Sequence, residues 1–197
     1  MAKSEHETPG KRARTRAALI AAAAAVISEK GYDRTTLEDV AQRAGMSRGA
    51  IYGNFKDKDE LFLALVSARW QPIVPEFKEG LGLREQLRAL GRHVARAAQE
   101  RIGMAAAVAS FQLYALTHEH MRDRMQSENA RIYRLMAKQL AEHVAAEDLP
   151  MPALQFVKVL DAVTTGLLFT YFQTPRLLRE QDFVAAFEAF APAHVVR

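Results

Sequence analysis

The sequence predicts an all-α protein: an N-terminal three-helix helix-turn-helix domain followed by a C-terminal helical domain. Three observations carry that expectation. No stretch of useful length alternates polar and apolar residues with the period of two that a half-buried strand requires. Glycines and prolines instead cut the chain into apolar-periodic runs of helical length. Residues 35–58 then set out caps, a turn glycine and a short second helix at helix-turn-helix spacing.

The first helix is expected over Arg14–Lys30, with Ile20, Ala23, Ala24 and Ile27 inward and Gly31 ending it. Thr35 is expected to cap the second helix, with Glu38 as its capping-box partner. Leu37, Val40, Ala41 and Ala44 then share one face, and Gly45 supplies the left-handed exit. Ser47 caps the third helix, whose Ala50 and Ile51 can turn inward. Gly53 in so short a helix costs about 1 kcal/mol against alanine. A fourth helix starts after Asp57, with Glu60 at capping-box spacing, and runs to Ala68 or Trp70, where Pro72 and Pro75 break it.

Beyond the loop at Gly80 and Gly82, helices are expected over Leu83–Arg101, Met104–Thr117, His120–Ala146 and Ala153–Gln173. A last one, capped by Asp182, carries Phe183, Phe187 and Phe190 on one face. The domain reading is a disordered tail over 1–10, a helix-turn-helix domain over 11–57, a connecting helix over 58–74 and a second domain over 75–197.

Composition narrows the function. There is no cysteine among 197 residues, hence no disulfide framework, thiolate metal site or thiol nucleophile; this usage fits a reducing cytoplasm. Met1–Gly10 lacks the apolar core of a signal peptide. No unbroken run of 18 apolar residues occurs, so no membrane span is expected. Residues 1–58 hold eleven basic side chains (Lys3, Lys11, Arg12, Arg14, Arg16, Lys30, Arg34, Arg43, Arg48, Lys56, Lys58) against seven acidic (Glu5, Glu7, Glu29, Asp33, Glu38, Asp39, Asp57). That surplus equals the formal +4 of the whole chain, so the rest is neutral. A basic N-terminal unit on a neutral body is the footprint of a polyanion binder.

The motif has one dominant use, which is to lay its second helix in the major groove of DNA. Arg48, in the first turn of that helix, can bond both acceptors of a guanine, and Gly49 lets the backbone approach a base closely. Arg48, Gly49 and Ala50 form the expected base-reading set. Thr36, Ser47, Tyr52, Asn54 and Lys58, with Arg14 and Arg16 at the edge of the ordered domain, form the expected phosphate-binding set. The bland alternative, a helical hairpin with a solvated arginine, has to explain away every one of these agreeing signals.

The same residues resemble the DNA-binding domain of the tetracycline-repressor (TetR) family. The matching pieces are Arg16 to Gly31-Tyr32, Thr35-Thr36-Leu37-Glu38-Asp39-Val40-Ala41, Ala44-Gly45-Met46-Ser47, Ile51-Tyr52-Gly53-Asn54-Phe55 and Lys58-Asp59-Glu60-Leu61. The resemblance is specific over about the first 65 residues and beyond them rests on length and helical pattern. It implies a bacterial, cytoplasmic, nucleoid-associated regulator, most often a repressor, with a C-terminal ligand-binding and dimerisation domain, a double-stranded DNA operator and a small-molecule effector.

The run Ala153–Gln173 is apolar nearly all round, with Phe156, Leu160, Val163, Leu167 and Tyr171 on one face and Leu154, Val157, Leu168 and Phe172 on another. Such a helix must be covered twice, either as the central helix of a monomer or by a partner. The resemblance favours a homodimer whose interface includes Phe156, Leu160, Val163, Gly166, Leu167, Phe183, Phe187 and Phe190. It also implies an effector pocket, for which Trp70, Phe77, Met104, Val108, Phe111, Tyr114, Tyr133, Met136, Phe169 and Phe172 are candidates, although stripes of this kind are more often core than cavity. Asp161 reads as a partner of Lys158, of an arginine across an interface or of a cationic ligand, and Arg84, Arg88, Arg92 and Arg96 as a solvated stripe.

Enzyme readings find little support. His118 and His120 sit at i, i+2, where rings on one helix point apart, and no metal is expected. No Glu-x-x-His pair, phosphate-cradling glycine loop or strand–elbow–serine arrangement occurs, and no cofactor is expected. The competing non-enzymatic reading is an architectural DNA-binding factor without an effector.

Overall fold

The structure, a computed structural model, describes residues 10–69, 73, 78 and 80–192. Among them are nine α-helices and no strand: α1 (Lys11–Lys30), α2 (Leu37–Arg43), α3 (Arg48–Tyr52), α4 (Lys58–Arg69), α5 (Leu83–Arg101), α6 (Ala105–Thr117), α7 (Glu119–His143), α8 (Ala153–Gln173) and α9 (Glu180–Glu188). Short 3-10 turns occupy Ile102–Met104 and Ala146–Asp148. The chain divides into two compact units, one of Met1–Gln71 with Ala106–Thr117 and one of Pro72–Ala105 with His118–Arg197. The second division of the chain is therefore not continuous from residue 75, because almost all of α6 belongs with the N-terminal helices.

In the first unit, α1 begins at Lys11, ahead of the expected Arg14, since nothing after Gly10 breaks a run of good helix formers. Gly31 ends it at φ 81°, a left-handed backbone that glycine adopts without strain. The cap of α2 is Thr36, not Thr35: the Thr36 hydroxyl accepts from the Asp39 N–H at 3.1 Å, and the Asp39 carboxylate accepts from the Thr36 N–H at 3.0 Å. Thr35 is buried instead and its hydroxyl donates to the Gly31 carbonyl at 2.8 Å. Gly45 leaves α2 at φ 65°, and Ser47 caps α3 by accepting from the Ala50 N–H at 3.2 Å. Gly53 ends α3 rather than sitting inside it, so it carries little of a helix-interior penalty.

α1 packs on α2 and α4, and α2 on α3. Their common core holds Leu19, Ala23, Ile27, Val40, Ile51 and Phe55. α6 closes this core from far along the chain. Tyr32 lies edge-on to Phe62 at 5.0 Å and to Phe111 at 5.3 Å, and its N–H donates to the Ser110 hydroxyl. Aromatic pairs of this geometry add about 0.5–1.5 kcal/mol beyond the area they bury.

In the second unit, α5 packs most extensively on α9, and α7 on α8. Gly91 permits the α5–α9 approach: a Cβ there would lie 2.7 Å from the Val184 Cα. Two of the arginines expected to be merely solvated pin the same contact, Arg88 to Glu188 at 2.5 Å and Arg84 to the Pro192 carbonyl at 3.3 Å. α9 begins one turn earlier than expected, with Asp182 not at the cap but one turn in, accepting from the Arg179 N–H at 2.7 Å. Asp161 accepts from the Tyr133 hydroxyl at 2.6 Å and not from Lys158, which places the acid between α7 and α8.

α8 spans its expected residues. Phe156, Val157, Leu160 and Leu168 are its buried residues. Its 21 residues include an 18-residue window of mean hydropathy 1.3, long and apolar enough to cross a membrane by length and composition alone, as the core helix of a folded domain also can be.

Candidate nucleic-acid interface

The candidate interface is the outer face of α2 and α3. Ile51 is fully buried under α3 and fixes the helix to its unit, so that the opposite side is turned outward. There Arg48 keeps three quarters of its side chain exposed (76%), Gly49 is exposed with room around it, and Tyr52 is 46% exposed. Ala50 is half-buried at the margin. Arg48 does not stand alone. Its Nε lies 3.3 Å from Glu38 Oε1, and its Cζ sits 5.4 Å over the Tyr52 ring. The Tyr52 hydroxyl donates to the same Glu38 oxygen at 2.9 Å. Its own backbone N–H in the first turn of α2, and then the Tyr52 hydroxyl, hold the Glu38 carboxyl below its ordinary value. Nothing at the level of sequence marks Glu38 as part of this cluster, because its partners lie on another helix.

The expected phosphate-binding residues divide. Thr36 and Ser47 are exposed at the helix N-termini they cap. Arg14 is exposed on the first turn of α1. Arg16 is half-buried: its Nη1 donates to the Asn54 carbonyl at 2.8 Å and its Cζ stacks 4.2 Å from the Phe55 ring, so it first serves to close the end of α3. Asn54 turns its amide back to the Ala50 carbonyl at 2.8 Å. The Lys58 ammonium donates to the Tyr32 carbonyl at 3.1 Å and the Asp33 carbonyl at 2.9 Å, and lies 4.6 Å from the Tyr32 ring centroid. Two of its three protons are thus committed to the turn after α1.

Two ion pairs brace the motif from behind, Lys30–Asp39 at 2.6 Å and Arg43–Glu29. The Lys30 hydrogen bond, then the Thr36 N–H and hydroxyl, hold the Asp39 carboxyl down at about 2. Burial, then the hydrogen bond to Asp59, pushes the Tyr32 phenol well above its ordinary value, so it stays a neutral donor.

The expected effector-pocket residues fall in both units. Trp70 and Phe77 lie outside the described residues. Val108, Phe111 and Tyr114 belong to the first unit. Phe111 is buried against Phe62 and Tyr32, which corrects its reading as a cavity wall. Met104, Tyr133, Met136, Phe169 and Phe172 belong to the second unit. Of the expected dimer residues, Phe156, Leu160, Phe183 and Phe187 are buried inside their own protomer, so they offer no surface to a partner. Val163, Gly166, Leu167 and Phe190 keep exposure. His118 and His120 bring their rings to 6.0 Å rather than apart, because His118 precedes α7 in extended backbone. No group of three or more potential metal ligands comes together among the described residues.

A capped, basic helix-turn-helix with an outward arginine on its second helix defines a DNA-binding protein. Residues 19–65 match the family described as bacterial regulatory proteins, tetR family, so that stretch carries the family's DNA-binding region. The chain is similar to the HTH-type transcriptional regulator SrpR of Pseudomonas putida, with 34% identity over 76 residues. That match covers 39% of this chain and 36% of SrpR, so only about a third of that relative's length is spanned. NalD, the secondary repressor of the MexAB-OprM multidrug efflux pump in Pseudomonas aeruginosa, superposes with a TM-score of 0.64 at 25% identity, covering 90% of this chain and 93% of NalD. GusR of Salmonella enterica shares the fold with a TM-score of 0.71 at 18% identity, over 91% of this chain and 94% of GusR.

Proposed function

We propose that this chain is a bacterial transcriptional repressor that binds a palindromic operator as a homodimer and is released by a small, mostly apolar effector. The observation that carries the reading is the outer face of α3, where Arg48 and Gly49 are exposed on a helix whose other side is locked into the core. An arginine fork so placed suits the O6 and N7 acceptors of guanine. The likeness to NalD favours repression. In this reading the protein acts in the cytoplasm, at the chromosome.

The homodimer is supported by α8. It is apolar along its length, yet Leu154 is 41% exposed and Gly166 has no atom within 4 Å of where a Cβ would stand. A second copy covering Val163, Gly166 and Leu167 satisfies that surface without a membrane, and it sets two α3 helices to read half-sites about 34–36 Å apart. For the effector, Tyr133, Met136, Phe169 and Phe172 remain the candidate contacts, since they are partly exposed in the second unit. A ligand acts only by its unequal affinity for binding-competent and incompetent forms, and about 3 kcal/mol of preference weakens operator binding about 150-fold.

The test is selection of genomic fragments by the purified full chain, followed by titration of the recovered duplex with wild type and Arg48→Ala. The expected result is a two-fold symmetric site, with loss of about 1–3 kcal/mol and relaxed preference at one base pair per half-site in the variant. Recovery of no preferred sequence would remove the operator reading. A preferred sequence whose binding no compound in a broad screen alters would leave an architectural factor.

A further inference from the structure

We propose that Glu38 is a positioning residue for base reading: it holds Arg48 and Tyr52 through one carboxylate oxygen and keeps the arginine from capturing phosphate. The inference rests on the reading of Arg48 as the base contact and adds a residue that touches no base.

Glu38 Oε1 is 3.3 Å from Arg48 Nε and accepts from the Tyr52 hydroxyl at 2.9 Å, while the Tyr52 ring underlies the guanidinium with its centroid 5.4 Å from Cζ. Three side chains from two helices therefore fix one another at the exposed face. The grip is on Nε. The two Nη groups have no protein partner among the described residues, and the side chain is 76% exposed. Two parallel N–H donors are what a guanine edge requires, and a fork already ordered loses less freedom on binding than a loose one.

The ion pair is not needed to hold the motif together. α2 is already tied to α1 by Lys30–Asp39 and Arg43–Glu29, and to α3 through buried Ile51. An exposed pair is also a weak source of stability. Its effect is on choice of partner. A phosphate that takes the whole guanidinium has to displace Glu38 and then faces a bare carboxylate at short range. A guanine taken through the Nη edge leaves the Glu38 contact in place. Specificity is a difference of affinities, and a repulsive element that acts only on the wrong partner enlarges it.

The test measures binding of the full chain to its selected site and to a scrambled duplex of equal length, for wild type, Glu38→Gln, Arg48→Ala and the double variant. Thermal melts confirm that all four fold. Glu38→Gln is expected to tighten binding to the scrambled duplex by about three- to tenfold while changing site binding much less, so that the ratio of the two falls about fivefold. In the Arg48→Ala background the same change is expected to leave the ratio untouched, which a general gain of positive charge or a structural role does not predict. An unchanged ratio in the single variant, or an equal fall in both backgrounds, overturns the role of Glu38 alone. A wild type that prefers no duplex overturns the operator reading and this inference together.

Discussion

The Phe62 ring of α4 lies flat on the Phe111 ring of α6, with centroids 3.8 Å apart and planes 17° from parallel. α6 is therefore part of the DNA-binding unit's core, although the chain reaches it only after α5. Phe111→Ala should cost about 3–5 kcal/mol, the usual loss for a buried phenylalanine, and weaken DNA binding through loss of the folded head. Urea denaturation followed by circular dichroism measures it. A loss below about 1 kcal/mol would mean that the ring is not packed as described.

Asp39 gives the motif an acid limit. Its carboxyl is held at about 2 against an ordinary 3.8, so its stabilising contacts are whole above about pH 4 and are lost as pH falls through 2. Asp39→Asn should melt at a lower temperature than wild type at pH 7, with the gap closing as pH approaches 2. A gap that stays constant across that range would show that the ionised carboxylate contributes nothing.

Gly91→Ala sets two effects against each other. Alanine favours a helix by up to about 1 kcal/mol over glycine. Against that, the new Cβ would meet backbone, the Val184 Cα at 2.7 Å and the Phe183 carbonyl oxygen at 3.0 Å, so α9 has to move. Overpacking of this kind costs about 1–3 kcal/mol and should win. A variant that melts at or above the wild-type temperature would show that α5 and α9 separate at little cost.

The proposed homodimer predicts that its subunit contact is broken by a charge at Gly166 or Leu167. Gly166→Arg or Leu167→Asp places a charge on the exposed apolar side of α8, and monomers are expected by light scattering at micromolar concentration, with loss of binding to a two-half-site operator. Wild type that is itself monomeric under those conditions would end the dimer reading.

The helix-turn-helix was legible because its signals are local: Gly31, Gly45 and Ser47 each settle a chain reversal or a cap within a few residues of themselves. The one-residue error in the α2 cap has a physical source. Thr35–Glu38 and Thr36–Asp39 both satisfy capping-box spacing, and the choice is made by burial of Thr35 under Gly31, which spacing does not encode. Contacts that join distant segments stayed hidden for the same reason. Arg88 with Glu188, Tyr133 with Asp161, Phe62 with Phe111 and Glu38 with Arg48 pair residues on different helices, and one sequence carries no record of which helix faces which.

Tyr32 and Ser110, hydrogen-bonded in the finished head, are 78 residues apart. The family-matched stretch of residues 19–65 is thus only the first instalment of a discontinuous fold. During synthesis, α1 to α4 leave the ribosome with Phe62 and Tyr32 uncovered and wait for α5 and then α6, at a loop-closure cost that grows only slowly with the length of the wait. A chain that stops short of Phe111 has its recognition helix but leaves the Tyr32 and Phe62 rings without their α6 partner. The aromatic core of the head is therefore completed only after α5 of the second unit has been made.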